Sequence, residues 1–120
     1  MGIIFQGTET VLGISLNTLE INGTLSVDDK SFQGMHNLQF LKVFENWRRG
    51  SGEGILSLPQ GLNSLPRKLR LLHWYKFPLR CMPSNFKAEY LVNLEMAYSQ
   101  LERLWEGTQV ILLSKIFFIT

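Results

Sequence analysis

Two histidines, His36 and His73, and one cysteine, Cys81, are the residues of this chain best suited to metal ligation or nucleophilic chemistry. The histidines lie 37 positions apart and the cysteine stands alone, which is not a metal-ligand spacing. Cys81 has no base beside it to hold a thiolate, so it reads as an inert or semi-exposed thiol. A lone cysteine also rules out an internal disulfide and fits a reducing compartment, so a cytoplasmic or nuclear location is expected. No arrangement of Ser, His and Asp reads as a triad. No G-x-x-x-x-G-K-[ST] phosphate loop is present. The chain therefore reads as non-catalytic, with no metal and no cofactor of its own.

Charge narrows the partners further. Twelve Lys and Arg against ten Asp and Glu leave a net charge of +2, too little to hold nucleic acid or an anionic membrane. One basic cluster stands out in "PRKLR": Arg67, Lys68 and Arg70. It is either a solvated turn or a surface for an acidic partner. The apolar run "VILLSKIFFIT", Val110 to Thr120, is 11 residues long. A spanning helix needs about 20, so no transmembrane segment is expected, and attachment at a membrane surface is the alternative use of such a tail. The start, "MGIIFQ", has Gln6 where a myristoylation signal wants Ser or Thr. The sequon Asn22-Gly23-Thr24 matters only in a secreted chain.

The elements that position these residues follow from a repeat. "LVNLEMAYSQLERLWEG" (Leu91 to Gly107) has apolar residues spaced as on a helical stripe. Shifted back by 22 positions, it falls on "LRLLHWYKFPLRCMPSN", so that Leu69 pairs with Leu91, Leu72 with Leu94 and Trp74 with Met96. The earlier copy carries Pro78 and Pro83. Each proline would cost a helix interior about 3 kcal/mol, which excludes a continuous helix there and, by homology of the copies, in the second. The shared L-x-x-L-x-L pattern is that of leucine-rich repeats. The fold class expected is an α/β leucine-rich repeat solenoid fragment: three or four short parallel strands with irregular or short helical returns.

Upstream, Leu38, Leu41 and Val43 begin another copy, and Val11, Ile14 and Leu16 a first strand. Asn46 falls where the template favours an asparagine that bonds the next turn; Phe77 and Ser99 occupy the matching positions. Extra residues between the copies are assigned to the Gly-rich loop "NWRRGSGEG", Asn46 to Gly54. Ser26 and Asp29 suggest a capping box, and Phe32 and Met35 one helical face, so a short helix is expected over Val27 to His36, with His36 near its C-terminal end. Trp74 and Phe86 are expected in the core, and Trp105 at a turn over the outer edge. With both ends of the stack open, unpaired edge strands are expected to leave it marginally stable.

Strand register then lines up the residues that point away from the core. One column is Lys42, His73 and Glu95; a second is Phe44, Tyr75 and Ala97; a third is Glu45, Lys76 and Tyr98. Leu71 would lie beside Asn93. Such inner-surface residues are either the recognition positions of a solenoid or simple cross-strand pairs.

The stretches "GTETVLGISL", "SFQGMHNLQFLKV", "LPRKLRLLHW", "PLRCMPSNF", "LVNLEM" and "LERLWEG" resemble the start of the repeat region in plant intracellular immune receptors of the Toll-type (TIR) nucleotide-binding, leucine-rich-repeat class. The resemblance spans roughly residues 7–109, with 1–6 an atypical start and 110–120 off the family pattern; the tail is expected to be translated intron or a misplaced gene end. It implies a role in defence signalling. It also implies protein partners: a pathogen effector, a guarded host protein, or the receptor's own nucleotide-binding domain. In the full-length family ADP or ATP binds a separate domain, and a TIR domain cleaves NAD. Neither site falls on residues of this chain. A truncated product without function is the other reading of such a fragment.

Overall fold

The computed structural model describes residues 2–4, 10–48, 50, 54–102 and 116–119. Eight strands run in order: β1 (Gly2–Ile4), β2 (Gly13–Asn17), β3 (Thr24–Ser26), β4 (Phe40–Phe44), β5 (Ile55–Ser57), β6 (Leu71–Trp74), β7 (Asn93–Met96) and β8 (Ile116–Ile119). They form two parallel sheets. The main sheet has the order β2-β4-β6-β7-β8 and the second β1-β3-β5. The inner sheet is thus five-stranded, wider than the three or four strands expected. Pairing reaches Gly2–Ile4 at one end and Ile116–Ile119 at the other.

The leucine spacing has a local cause at each strand entry. The Leu12 carbonyl accepts from both Gln39 and Phe40 N–H, at 2.8 and 3.2 Å. Gln39 accepts likewise from Arg70 and Leu71, at 2.8 and 3.0 Å, and Arg70 from Val92 and Asn93, at 2.7 and 3.1 Å. Two consecutive N–H groups on one carbonyl form a bulge-like bend, which breaks the strict alternation of side chains. That bend separates Leu38 from Leu41, Leu69 from Leu72 and Leu91 from Leu94 by three residues. Regular pleating then separates Leu41 from Val43, Leu72 from Trp74 and Leu94 from Met96 by two. All nine are buried, at 2% exposure or less. Phe77, Met82 and Phe86 close the core from the return side, and Trp74 meets Phe77 edge-on at 5.1 Å. Each such side chain contributes about 1.5–3 kcal/mol by leaving water. Trp74 and Phe86 are core residues as expected, whereas Leu104 and Trp105 lie outside the described residues.

Repeat length decides what forms on the return. Gly13 to Phe40 spans 27 residues and Phe40 to Leu71 spans 31, against 22 from Leu71 to Asn93. The two longer returns hold β3 and β5, which pair with each other; Val27 N–H continues that ladder by donating to Ser57. The short return carries Pro78 and Pro83 and runs in turns. In the longer loop, Gly50 and Gly54 pass close over the preceding turn. A Cβ on Gly50 would stand 2.5 Å from the Leu19 carbonyl carbon, and one on Gly54 would collide with the Ile21 carbonyl.

Two expectations are corrected here. The short helix over Val27 to His36 does not form. A single 3-10 turn at Asp29–Ser31 is followed by i to i+3 bonds from Gln33, Met35 and Leu38, and Gly34 adopts a left-handed φ of 93°. Successive tight turns bury Phe32 and Met35 just as a helix would, but bring the chain sooner to β4. With no helix present, the exposed His36 faces no helix dipole. The capping box is also displaced: Asp28 accepts from Ser31 N–H at 3.2 Å while Ser31 Oγ accepts from Asp28 N–H at 3.0 Å, and Ser26 takes no part. The strand β8 pairs with β7 at an offset of 23, against 22 between β6 and β7, which aligns Leu94 with Phe117 and Met96 with Ile119. In a tail that is apolar at nearly every position, alternation cannot fix the register.

Candidate functional site

Strand pairing covers the first of the columns named from sequence and the pair Leu71 and Asn93. Lys42 pairs with His73 and His73 with Glu95, and Ser15 extends the row on β2. Leu71 pairs with Asn93, and Gly13 and Phe40 continue that row. His73 sits between two oxygen acceptors. Its Nε2 is 2.5 Å from Asn93 Oδ1, and its Nδ1 is 3.6 Å from Glu95 Oε2. A proton on Nε2 makes the first contact a hydrogen bond donated by the ring.

The strand ends carry the next two columns. Tyr75 N–H donates to the Val43 carbonyl at 2.8 Å, which sets Tyr75, just past β6, beside Phe44 at the end of β4. Lys76 N–H donates to Ala97 at 2.9 Å. Lys76 and Tyr98, 22 residues apart, both adopt left-handed backbone, with φ of 60° and 54°. For non-glycine residues this costs about 1–2 kcal/mol each. The bend turns their side chains out beside the strand ends. Lys76 Nζ reaches Glu45 Oε1 at 3.1 Å and lies 5.5 Å from the Tyr75 ring centre, while Tyr75 and Tyr98 meet edge-on at 5.4 Å. The hydrogen bond and charge of Glu45 raise the Lys76 pKa above its ordinary value. Tyr98 is 70% exposed. Between the columns lies a depression of about 140 Å³ whose walls include Lys42, Phe44, His73, Tyr75, Glu95 and Ala97.

The basic cluster does not join this face as one patch. Arg67 and Lys68 line an open groove of about 720 Å³ on the return side, together with Lys30 and His36. Lys68 donates to Asn37 Oδ1 at 3.3 Å. Arg70 instead points to the strand-entry rim, in a cleft of about 230 Å³ with Gln39, Lys68 and Tyr90.

The inter-repeat asparagine is not the one the template selects. Asn46 Oδ1 only accepts from Arg48 N–H at 3.0 Å, an exposed local turn. The work falls to Asn17, which the sequence reading left unassigned. Its Nδ2 donates to the Asn46 carbonyl at 3.1 Å, and its Oδ1 accepts from Asn46 N–H at 3.0 Å and Leu19 N–H at 3.1 Å. Leu19 takes the template position after β2 and Phe77 after β6, and both are buried. Ser99 accepts locally from Leu101 N–H at 3.4 Å. A second unforeseen tie is Asp29, whose carboxylate accepts from Asn63 N–H at 2.8 Å, Asn63 Nδ2 at 3.0 Å and Ser64 N–H at 3.2 Å. Asp29 had been read only as a capping residue, and nothing local in the sequence marks a bond 34 residues away.

Among the described residues, no three His, Cys, Asp or Glu side chains gather as a metal site would require. No helix among them is long and apolar enough to cross a membrane. What the open face offers, among the described residues, is a ledge of side chains on paired strands with a shallow depression between them.

Comparison with known proteins agrees with that architecture. Residues 90–109 match the family model for a Leucine Rich Repeat. Over 104 residues the chain is 55% identical to Disease resistance protein RPP5 of Arabidopsis thaliana, covering 85% of this chain and 7% of that protein. Identity to Disease resistance protein RPP4 of the same plant is 50% over 111 residues, covering 85% of this chain and 10% of that protein. The chain is a leucine-rich repeat segment of the plant disease-resistance family. Disease resistance protein TAO1 is 44% identical over 106 residues, covering 88% of this chain and 9% of its own length. The resemblance to the Toll-type nucleotide-binding class thus holds. The chain spans about a tenth or less of these relatives. No solved structure matches it.

Proposed function

We propose that this disease-resistance repeat segment is a non-catalytic protein-binding surface of a plant immune receptor, and that its open-face columns make the contact. The observation that carries the reading is the ledge of Tyr75, Lys76 and Tyr98. Two non-glycine residues are held there in left-handed backbone, which presents a tyrosine pair and a lysine outward. Strain of this kind gathers at sites of contact, and tyrosine is among the residues that dominate interfaces. The partner is a pathogen effector, a guarded host protein, or the receptor's own nucleotide-binding domain. Any ADP or ATP belongs to that domain and not to these residues. The receptor would act in the cytoplasm or nucleus, where a free cysteine such as Cys81 stays reduced.

Photo-crosslinking tests this. A photoreactive amino acid replaces Tyr98 or, on the return after β6, the likewise exposed Lys87, within a full-length receptor carrying this segment. A protein adduct at position 98 and none at 87 is expected. Adducts at 87 alone, or at neither position, would reject the reading.

A further inference from the structure

We propose that the strand-entry rim of the main sheet binds an amphipathic helix of a partner protein, one with carboxylates along one flank of its apolar stripe. The proposal rests on the reading that the open face meets a protein, and it names that partner's chemistry at a rim that shares only Leu71 with the residues named for that face.

The rim follows from the doubled hydrogen bonds. Where one carbonyl takes two consecutive N–H groups, two successive residues face outward instead of one. Leu12, Phe40, Leu71 and Val92 are therefore presented at the entries of four adjacent strands, on two neighbouring levels: Phe40 and Leu71 in the row of Gly13 and Asn93, Leu12 and Val92 one residue earlier, level with Gln39 and Arg70. Leu12, Phe40 and Val92 are 55%, 44% and 43% exposed. The Phe40 ring lies beside Gly13, where a Cβ would stand in ordinary contact at 3.7 Å from Phe40 Cδ2. Together the two levels make a staggered apolar band, with one large apolar residue at each of the four strand entries, and an exposed apolar band is a candidate interaction site. Charge is one-sided beside it. The cleft of about 230 Å³ formed by Gln39, Lys68, Arg70 and Tyr90 has two cations and no carboxylate.

Spacing selects the helix. Neighbouring strands lie about 4.8 Å apart, so three steps across the rim cover about 14 Å. Helix residues one turn apart recur every 5.4 Å, about 16 Å over three turns. Side chains on one face of an extended peptide recur about every 6.7 Å, or about 20 Å over three steps. A mismatch of about 2 Å is within the reach of side-chain rotamers; one of about 6 Å misses a whole row. A helix laid across the strands therefore seats apolar residues at i, i+4, i+7 and i+11 in successive rows, the recognition mode of a helix on an apolar groove.

The test uses the 120-residue chain and designed helical peptides, read by fluorescence anisotropy. One peptide has leucines at i, i+4, i+7 and i+11 with glutamates on one flank. A second carries lysines in place of the glutamates, and a third has the same composition as the first with leucines at every second position. The glutamate helix is expected to bind about tenfold or more tighter than either. Arg70→Glu should reverse the preference between glutamate and lysine peptides. Phe40→Ser should weaken binding about tenfold, while Tyr98→Ala leaves it unchanged. Residues 40 and 70 are exposed, and far-UV circular dichroism of each variant checks that the fold persists. Equal affinities for the three peptides, no binding to the folded chain, or a better fit of the period-two peptide would overturn the proposal. Loss of binding with Tyr98→Ala but not with Phe40→Ser would also overturn it, while favouring the columns as the contact.

Discussion

Replacing Asn17 by alanine should cost far more stability than replacing Asn46, although only Asn46 falls at the template asparagine position. Asn17 is 8% exposed, and its side chain satisfies three backbone groups: Leu19 N–H, Asn46 N–H and the Asn46 carbonyl. It also donates to Glu20 Oε1 at 3.3 Å. Truncation leaves those backbone groups without partners in a crowded turn. A stranded buried polar group costs about 1–3 kcal/mol, and partial access to water brings each toward the lower end. Three groups together give about 2–4 kcal/mol, a large share of the 5–15 kcal/mol typical of a domain. Asn46→Ala removes one exposed bond to Arg48 N–H and should cost about 0.5 kcal/mol or less. Urea unfolding followed by circular dichroism separates the two variants, with the midpoint displaced and the slope unchanged. Asn17→Asp keeps the two accepted bonds but loses both donated ones and faces Glu20, so it should fall between. An Asn46→Ala variant as unstable as Asn17→Ala would refute the assignment of the inter-repeat tie to Asn17.

Gly54→Ala should destabilise the chain by about 1–3 kcal/mol, because the added methyl meets the backbone of Ile21 and Thr18; thermal unfolding measures it. Phe77→Asn, which restores the template residue, should destabilise rather than stabilise, by about 3–5 kcal/mol, since Phe77 is fully buried against Trp74; urea unfolding decides. Lys76 should titrate above its usual value of 10.5, and Glu45→Gln should return it there, as read by NMR of the side-chain ammonium. Because the folded pKa is raised, any stabilisation from this pair is complete below the ordinary lysine pKa and lost as pH rises through the folded one. Stability between pH 6 and 9 should therefore not change on its account.

Much of the main sheet was legible because two different spacings in L-x-x-L-x-L report two different backbone geometries. The three-residue step marks the bend at the strand entry and the two-residue step the pleat. Once Leu69 and Leu91 were matched, the rows of Lys42, His73 and Glu95 followed from register alone. The second sheet was not legible, since Thr24–Ser26 and Ile55–Ser57 are too short to show alternation. The expected helix failed because Phe32 and Met35, three apart, fit consecutive tight turns as well as a helical face. Asn17 was missed because its row, shared with Phe44 and Tyr75, looks outward; only the structure has its amide turned back to the Asn46 backbone. The rim residues Leu12, Phe40 and Val92 escaped for a related reason. The residue pair between spaced leucines reads as solvent-facing filler until the doubled N–H bonds reveal that both members point out.

The proposed contact at the open face is tested most directly in a receptor that signals. A full-length disease-resistance protein carrying this segment, with Lys76→Glu and Tyr98→Ala together, would be expressed in leaf tissue beside the parent. Its defence output would be read against protein accumulation. Both positions are exposed, so accumulation should match the parent while defence output changes several-fold. Unchanged output at equal accumulation would contradict the account.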